Sequence, residues 1–524
     1  MKKFAQLLNQ LFFTYGGLDK RTLIEHYFSV TPDPERGYAL AIMTNSLKFS
    51  RFKRSLIKNL ISENIDPTLF YLSYDYVGDL SETVSLLWPD TQNQSELPLL
   101  SEIIANFEKL PENDLYPYLV RLLNSSDSIE RWAILKIITG DLRIGVSTRF
   151  LKNTLAHYGQ LHVQEVEDIW HSQEPPYLEL FSWLEKKSSK PSTNTLYFHP
   201  VMLSHPLNES ERIAINLNEF SIEKKYDGIR VQLAVSGKEK ALYTRTGENI
   251  SHSFPEIISK IEGNVVLDGE LVIRHASKIG SFNDLQQRLN RKILSKKLLE
   301  EQSAALIVYD ILFIDNLDLR ALPFLNRREW LEQWFSTSVP ENFLISPLLS
   351  LKNNQTLHQL REDVLQENSV HVEGLMLKKK SSLYLAGRPK GCWYKWKKDP
   401  YIIDAILMYA QRGHGKRSSY YSDYTFGLWK LNQLLPIGKA YFGFTDEELY
   451  QLDKWIRSHT LNRFGPVREV EKELVLEIAF DAVHWSNRHK SGVALRFPRI
   501  NRIRWDKPAH EADQLETLKK LIRT

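Results

Sequence analysis

A lysine attacks as a nucleophile only after losing its proton, so its surroundings decide whether it can do chemistry. In Glu223-Lys224-Lys225-Tyr226-Asp227-Gly228-Ile229-Arg230, Lys224 and Arg230 bring like charge to Lys225, which is expected to lower its pKa. Asp227-Gly228 is a turn signal, so Lys225 is predicted at the end of a strand, facing an open pocket. Further along, Leu267-Asp268-Gly269-Glu270-Leu271 in a strand sets Asp268 and Glu270 on one face, opposite Leu267 and Leu271. Glu373 opens another apolar run, Val372-Glu373-Gly374-Leu375-Met376-Leu377-Lys378. Lys395 and Lys397, two apart in Trp393-Tyr394-Lys395-Trp396-Lys397-Lys398, share one strand face. An amine, carboxylates and paired cations are the side chains that work on phosphate groups needs.

The elements that must hold these residues change character along the chain. The first ~185 residues read as helical, with Arg131 to Ile138 amphipathic and running into Gly140. Ser147 is the predicted N-cap of the next helix. The polar stretch Lys186 to Asn194 has no periodicity and reads as a linker. Beyond it, Ile229 to Val235 alternates as a strand with one apolar face. Val265–Ile273, Leu306–Ile314 and Val370–Leu377 are further predicted strands, and Phe282–Leu289 and Arg327–Phe335 predicted helices, giving an α+β region. From Tyr401 onward, strands are predicted at Ile402–Tyr409, Tyr424–Leu431, Gly438–Phe442 and Leu474–Val483, with a helix at Asp446–Ser458. Five or so strands and one helix suit a small barrel of the oligonucleotide-binding type.

With 524 residues the chain exceeds a single core, so several domains are expected. One cysteine, Cys392, excludes a disulfide framework or thiolate zinc cluster and suits a reducing cytosol. No apolar run is long enough to span a bilayer, so a soluble, cytoplasmic protein is expected. The net charge of +4 says little about partners, but basic clusters at Lys395–Lys398, Arg412–Arg417 and Arg496–Arg504 interleave with aromatics and suit a phosphate backbone.

Lys225-x-Asp227-Gly228-x-Arg230 resembles motif I of the covalent nucleotidyltransferases, which include DNA ligases, RNA ligases and mRNA capping enzymes. Further segments resemble that superfamily's motifs in chain order: Thr244-Arg245-Thr246-Gly247-Glu248, Leu267 to Leu271, Tyr309-Asp310-Ile311-Leu312, Val372 to Lys378, Trp393 to Asp399, and Arg496-Phe497-Pro498-Arg499 with Asn501 to Arg504. Singly each has a structural explanation, a turn or a buried strand, but the ordered set does not. The resemblance implies ATP as co-substrate, with AMP carried on Lys225, passed to a DNA 5′-phosphate and displaced by a 3′-hydroxyl. It implies that Glu223 reads the adenine edge, that the Tyr309 ring, where Phe is commoner, stacks on adenine, and that Arg230 and Arg245 position ribose and nick. It implies that Lys395 and Lys397 hold the α-phosphate, with Arg388 among the nucleotide-binding residues. Glu270 and Glu373 would bind Mg²⁺, or Mn²⁺, both of which suit carboxylates. Arg496 and Arg499, with Lys507 beside them, would meet the triphosphate from a mobile C-terminal domain hinged near Asp399-Pro400.

Gly140-Asp141-Leu142-Arg143-Ile144-Gly145-Val146 resembles a turn in the DNA-binding domain of larger ATP-dependent DNA ligases, where Arg143, Gly145 and backbone amides would meet duplex phosphates. The layout resembles the bacterial ATP-dependent DNA ligases. It comprises an all-α DNA-binding domain (1–190), an α+β nucleotidyltransferase domain of ATP-grasp-like adenylation type (200–398) and a C-terminal β-barrel OB-fold domain (399–524). The implied activity is nick sealing in duplex DNA, in replication, repair or recombination, by a monomer. Two rivals are an RNA ligase or capping-type enzyme, disfavoured by the helical N-terminal region, and an inert nucleic-acid-binding scaffold, disfavoured by retention of Lys225 and both acids.

Overall fold

The computed structural model describes the chain apart from residues 48, 50, 53, 78, 90–95, 141, 192–197, 276, 277, 281, 290–294, 316, 338, 339, 368–371, 413–420, 442–444, 465, 466, 488, 523 and 524. Parts of the predicted linker, of the 370–377 and 438–442 strands, of the 412–417 basic cluster and Asp141 fall outside the described residues. The described chain forms two compact units. One comprises Met1–Tyr158, Pro175–Leu184 and Asp399–Thr524; the other comprises Gly159–Glu174 and Glu185–Lys398.

Helices follow one another from Lys2–Phe13 to Leu178–Leu184, as the periodicity predicts. Helix α1 (Ser128–Thr139) starts at Asp127, whose side chain accepts from the Glu130 amide at 2.8 Å, and ends at Gly140. Its middle, Trp132 to Ile138, is buried on all sides. Helix α2 (Thr148–Gly159) begins as predicted, with the Phe150 amide donating to Ser147 Oγ at 3.2 Å.

After the helices come two sheets in the second unit. The first is built around β1 (Phe220–Tyr226), β6 (Val372–Lys379) and β7 (Trp393–Lys397), with short strands His205–Pro206 and Leu348–Leu349 at its edges. The second orders β3 (Glu239–Thr244), β2 (Ile229–Ser236), β4 (Asn264–His275) and β5 (Ser303–Ile314), all neighbours antiparallel. Helices α3 (Phe324–Phe335) and α4 (Leu357–Gln366) lie in the same unit.

Strand alternation fixes the faces of the first sheet. Phe220, Ile222, Leu375, Leu377 and Trp396 point into one core with Leu360 and Val364 of α4. Arg361 of α4 donates to the Lys397 carbonyl at 2.7 Å and lies over the Trp396 ring. Each fully buried leucine there contributes ~1.5–3 kcal/mol. Ser221, Glu223, Lys225, Trp393, Lys395 and Lys397 are therefore set on the opposite face. The second sheet buries Leu267, Leu271, Ile273, Leu306 and Val308 against its helices, leaving Asp268, Glu270 and Tyr309 on the other side.

One expectation needs correction here. Strand β2 is not half-exposed: Gln232 and Ala234 are as buried as Val231 and Leu233, and Gln232 exchanges hydrogen bonds with the backbone of His199. The amide is tolerated in the interior because both its ends are paired.

From Asp399 onward the chain is mostly strand. Strands β8 (Tyr401–Arg412), β9 (Tyr421–Lys430), β10 (Gln433–Tyr441), β11 (Val475–Phe480) and β14 (Arg499–Arg504) pair in a closed ring: β8 meets both β9 and β11. Helix α5 (Asp446–Ser458) carries the predicted bounds and packs Leu449, Leu452 and Ile456 into the ring's core. The predicted strand Leu474–Val483 is two strands, because the chain breaks at Asp481 between β11 and β12 (Ala482–Trp485); β12 pairs with β13 (Val493–Arg496). More strands are present than expected, including the hairpin Thr460–Phe464 with Val467–Val470.

Candidate active site

Lys225 is the penultimate residue of β1, as the Asp-Gly signal predicts. Its Nζ lies 2.9 Å from Glu373 Oε2, and Lys397 Nζ lies 3.1 Å from the same oxygen. Glu373 reaches this face through an irregularity. The β1–β6 register shifts between Val372 and Gly374, so Glu373 joins the side of the sheet that Lys378 occupies, five residues away. Gly374 has φ 147°, and a Cβ there would come 2.0 Å from the Trp396 carbonyl oxygen. Only glycine fits so near the neighbouring strand in that conformation.

The predicted route to a neutral Lys225 is corrected by the geometry. Lys224 points to the other face and pairs with Glu367, while Arg230 is neutralised by Asp268. Burial favours the neutral amine, but the Glu373 ion pair and the Glu270 charge outweigh it, and the Lys225 pKa is raised. Burial alone would raise the Glu373 carboxyl; Lys225 and Lys397 instead carry it well below the carboxylate range. Glu270 differs. Burial pushes it up to about 7, only partly opposed by Lys225 and Arg230 and reinforced by Glu373. Lys395 is lowered by burial and by the neighbouring charges of Lys397, Lys225 and Arg388.

Beneath these groups Arg230 is a clamp. It donates to both carboxylate oxygens of Asp268, at 3.0 and 2.6 Å, and to the Met202 carbonyl at 2.6 Å. Tyr384 Oη donates to Asp268 Oδ2 at 2.6 Å. Next to Tyr309, Asp310 and Arg327 form a two-pronged pair, both bonds 2.9 Å and neither side chain exposed. Lys378 Nζ stands 4.4 Å from the Tyr309 ring centroid and 2.7 Å from Glu223 Oε2. The sequence places Asp268 beside Glu270 on one strand face and carries Asp310, Trp393 and Lys378 within its motif-like segments without a role for any of them; Tyr384 has no such signal, and Arg327 enters only as the start of a predicted helix.

Arg245 and Arg388 are the other predicted residues of this unit. Arg245 is exposed in the turn after β3, closed by Gly247 N–H donating to the Thr244 carbonyl at 2.9 Å. Arg388 is exposed, its carbonyl oxygen 3.3 Å from His205 Nε2. In the first unit, Arg143 and Gly145 have φ of 50° and 66°, and Lys20 Nζ donates to the intervening Ile144 carbonyl. Arg143 lies 3.7 Å from Asp79, which also pairs with Lys136 at 2.6 Å. The turn borders a cavity of about 410 Å³, lined in part by Met43, Ser147 and Phe150. At the barrel end, Arg499 pairs with Asp481 at 3.2 Å, Arg496 lies 5.3 Å from the exposed Phe497 ring, and Lys507 pairs with Asp404 at 2.8 Å.

Glu270 and Glu373 converge on Lys225 from two sheets. Among the described residues no group of three or more His, Cys, Asp or Glu side chains could hold a metal. Two carboxylates nevertheless fit Mg²⁺, which is commonly held by one or two of them with water and substrate phosphates completing its shell. The burial of Glu270, only partly offset by Lys225 and Arg230, fits as well, since a cation would favour its ionised form.

Residues 201–397 match the family model described as ATP dependent DNA ligase domain, and 417–507 match ATP dependent DNA ligase C terminal region. A probable DNA ligase of Koribacter versatilis is 33% identical over 436 residues, covering 78% of this chain and 74% of that protein. The chain belongs to the ATP-dependent DNA ligases. A DNA ligase of Methanococcus aeolicus is 28% identical over 86% of this chain and 83% of its own length. The solved structure Pmar-Lig_PreS3 shares the fold at TM-score 0.61 and 16% identity, over 96% of this chain and 99% of that one. The ligase uses ATP and DNA as substrates and seals nicks by the lysyl-AMP route general to its family. Among the described residues no helix is long and apolar enough to cross a membrane.

Proposed function

We propose that Lys225 carries the AMP of this ligase. The observation that carries the reading is one carboxylate, Glu373, shared by Lys225 at 2.9 Å and Lys397 at 3.1 Å. It holds the resting amine charged and in place, and Lys397 and Lys395 beside it favour loss of the proton once Glu373 is engaged elsewhere. Lys225 Nζ then attacks the α-phosphorus of ATP, forming a P–N bond as pyrophosphate leaves. An oxygen of the DNA 5′-phosphate displaces the amine from that phosphorus, and the 3′-hydroxyl oxygen finally attacks the 5′-phosphate and releases AMP. Lys395 and Lys397 hold the α-phosphate, with Arg388 at the pocket edge. Glu223 reads the adenine edge and Tyr309 stacks on the base. Arg230, braced by Asp268, and Arg245 position ribose and nick. Glu270 and Glu373 hold Mg²⁺ or Mn²⁺, which neutralises triphosphate charge when bound.

The helical region 1–190 grips duplex DNA, with Arg143 and Gly145 at the phosphates. Residues 200–398 form the adenylation domain. The closed ring of strands in 399–524 is read as an OB-fold, whose Arg496 and Arg499 meet the triphosphate in the first step. Nick sealing by Lys225→Ala beside the wild type tests the central role. The variant is expected to fail with ATP yet to join a nick already carrying AMP. Sealing of an ordinary nick from ATP by the variant would overturn it.

A further inference from the structure

Glu223 and Lys378 form an ion pair that attack by Lys225 does not require. Strand β1 runs antiparallel to β6 with Met376 opposite Glu223, so Lys378 lies two residues further on the same face. Their side chains are 2% and 1% exposed, and Nζ is 2.7 Å from Oε2. The ammonium is also fixed from its other sides. It donates to the Tyr309 carbonyl at 3.3 Å and stands 4.4, 4.8 and 5.0 Å from the ring centroids of Tyr309, Trp393 and Phe324.

The second oxygen, Glu223 Oε1, is buried and has no hydrogen-bond partner among the described residues. Arg328 approaches it only to 3.7 Å, its Nη1 donating to the Ser346 carbonyl and its Nε to Glu332, each at 2.7 Å. A buried acceptor without a donor is costly unless something supplies an N–H. A purine with a 6-amino group supplies one; a 6-oxo purine would set a second acceptor against it.

We propose that Lys378 is a specificity-positioning residue, which keeps Glu223 ionised with Oε1 turned to the base, so that the pocket admits a 6-aminopurine nucleotide and refuses a 6-oxopurine one. The inference rests on Glu223 reading the adenine edge. Burial pushes the Glu223 carboxyl up, while Lys378 and Arg328 pull it back and Asp310 adds to the rise. Those groups, with Tyr226 on its own strand and Tyr309 on β5, are the titratable and charged neighbours that face it. Without Lys378 the carboxyl loses the charge that opposes its burial and takes up a proton more readily, and a protonated carboxyl can donate to a 6-oxo group.

The test compares self-nucleotidylation of the full chain with ATP and with ITP, which differs from ATP at the purine 6 position, across a pH series. Lys378→Met is expected to lose at least ~10-fold in ATP-over-ITP selectivity at neutral pH and to regain it as pH rises, whereas Lys378→Arg stays within about threefold of wild type. Lys378→Gln is read in parallel, so a folded uncharged variant is available if the methionine variant is unstable. Unchanged selectivity in a folded uncharged variant, or a loss that does not vary with pH, overturns the proposal. Glu223→Gln separates the two claims. If it shifts selectivity while the Lys378 variants do not, Lys378 alone loses its role; if it leaves selectivity unchanged, the reading of Glu223 falls as well.

Discussion

Gly374→Ala is a one-carbon change that should disable the pocket without touching a charged group. The added Cβ would lie 2.0 Å from the Trp396 carbonyl oxygen and 2.8 Å from Lys397 Cα, both backbone atoms that no rotamer change can move. Restoring ordinary contact requires β6 and β7 to part by about 1 Å or more, and the φ of 147° adds ~1–3 kcal/mol of strain for an L residue. The displaced segments carry Glu373 on one side and Lys395 and Lys397 on the other. A misplacement of ~1 Å among reacting groups costs about 10²-fold in rate. Single-turnover self-adenylation with α-labelled ATP should therefore slow by about 10²-fold in Gly374→Ala. Gly237→Ala, with φ 59° and nothing within 4 Å of its Cβ, is the control for backbone strain alone and should keep its rate. Adenylation by Gly374→Ala within about twofold of wild type, with the fold intact by circular dichroism, would refute the claim that the bulge at Glu373 sets the site.

Three further outcomes are expected. His199 is buried against Phe313, and burial with the Arg320 charge pushes its pKa down to about 4. The unfolded chain takes a proton below about pH 6.5 that the folded chain refuses, so stability is full above that pH and falls by about 3 kcal/mol as pH drops towards 4. Urea unfolding across pH should show this slope in the wild type and a flatter one in His199→Leu. Asp310→Asn leaves Arg327, fully buried, without its counter-charge and should cost ~3–5 kcal/mol of stability, read as a lower urea midpoint. Gly145→Ala would bring a Cβ 2.7 Å from Lys20 Nζ at φ 66°, so gel-shift affinity for a nicked duplex should weaken by about fivefold or more while self-adenylation is unchanged.

Much of the pocket follows from strand periodicity, and the parts that do not have identifiable causes. Glu223 and Lys225, and Lys395 and Lys397, share a face because each pair is two apart in a strand. Glu373 does not follow that rule, since the register shift before Gly374 reverses the alternation. The pKa expectation for Lys225 failed because it counted charges near in sequence. Lys224 faces the other way, and the charge of Arg230 is met by Asp268 from a strand 38 residues on. The buried supports, Tyr384 on Asp268 and Lys378 on Glu223, join segments 116 and 155 residues apart, a relation no local pattern carries. In the C-terminal region the strand Thr460–Phe464 is mostly exposed and its partner Val467–Val470 is only four residues long, so neither offers an apolar alternation long enough to read, whereas α5 has a clear one and its ends match the expectation.

The most direct test locates the bond itself. After incubation with ATP labelled at the α-phosphate, denaturation and proteolysis, AMP should be found on one peptide, at Lys225, through an acid-labile P–N bond that Lys225→Arg cannot form. Label at another residue, or undiminished covalent label in Lys225→Arg, would contradict the account.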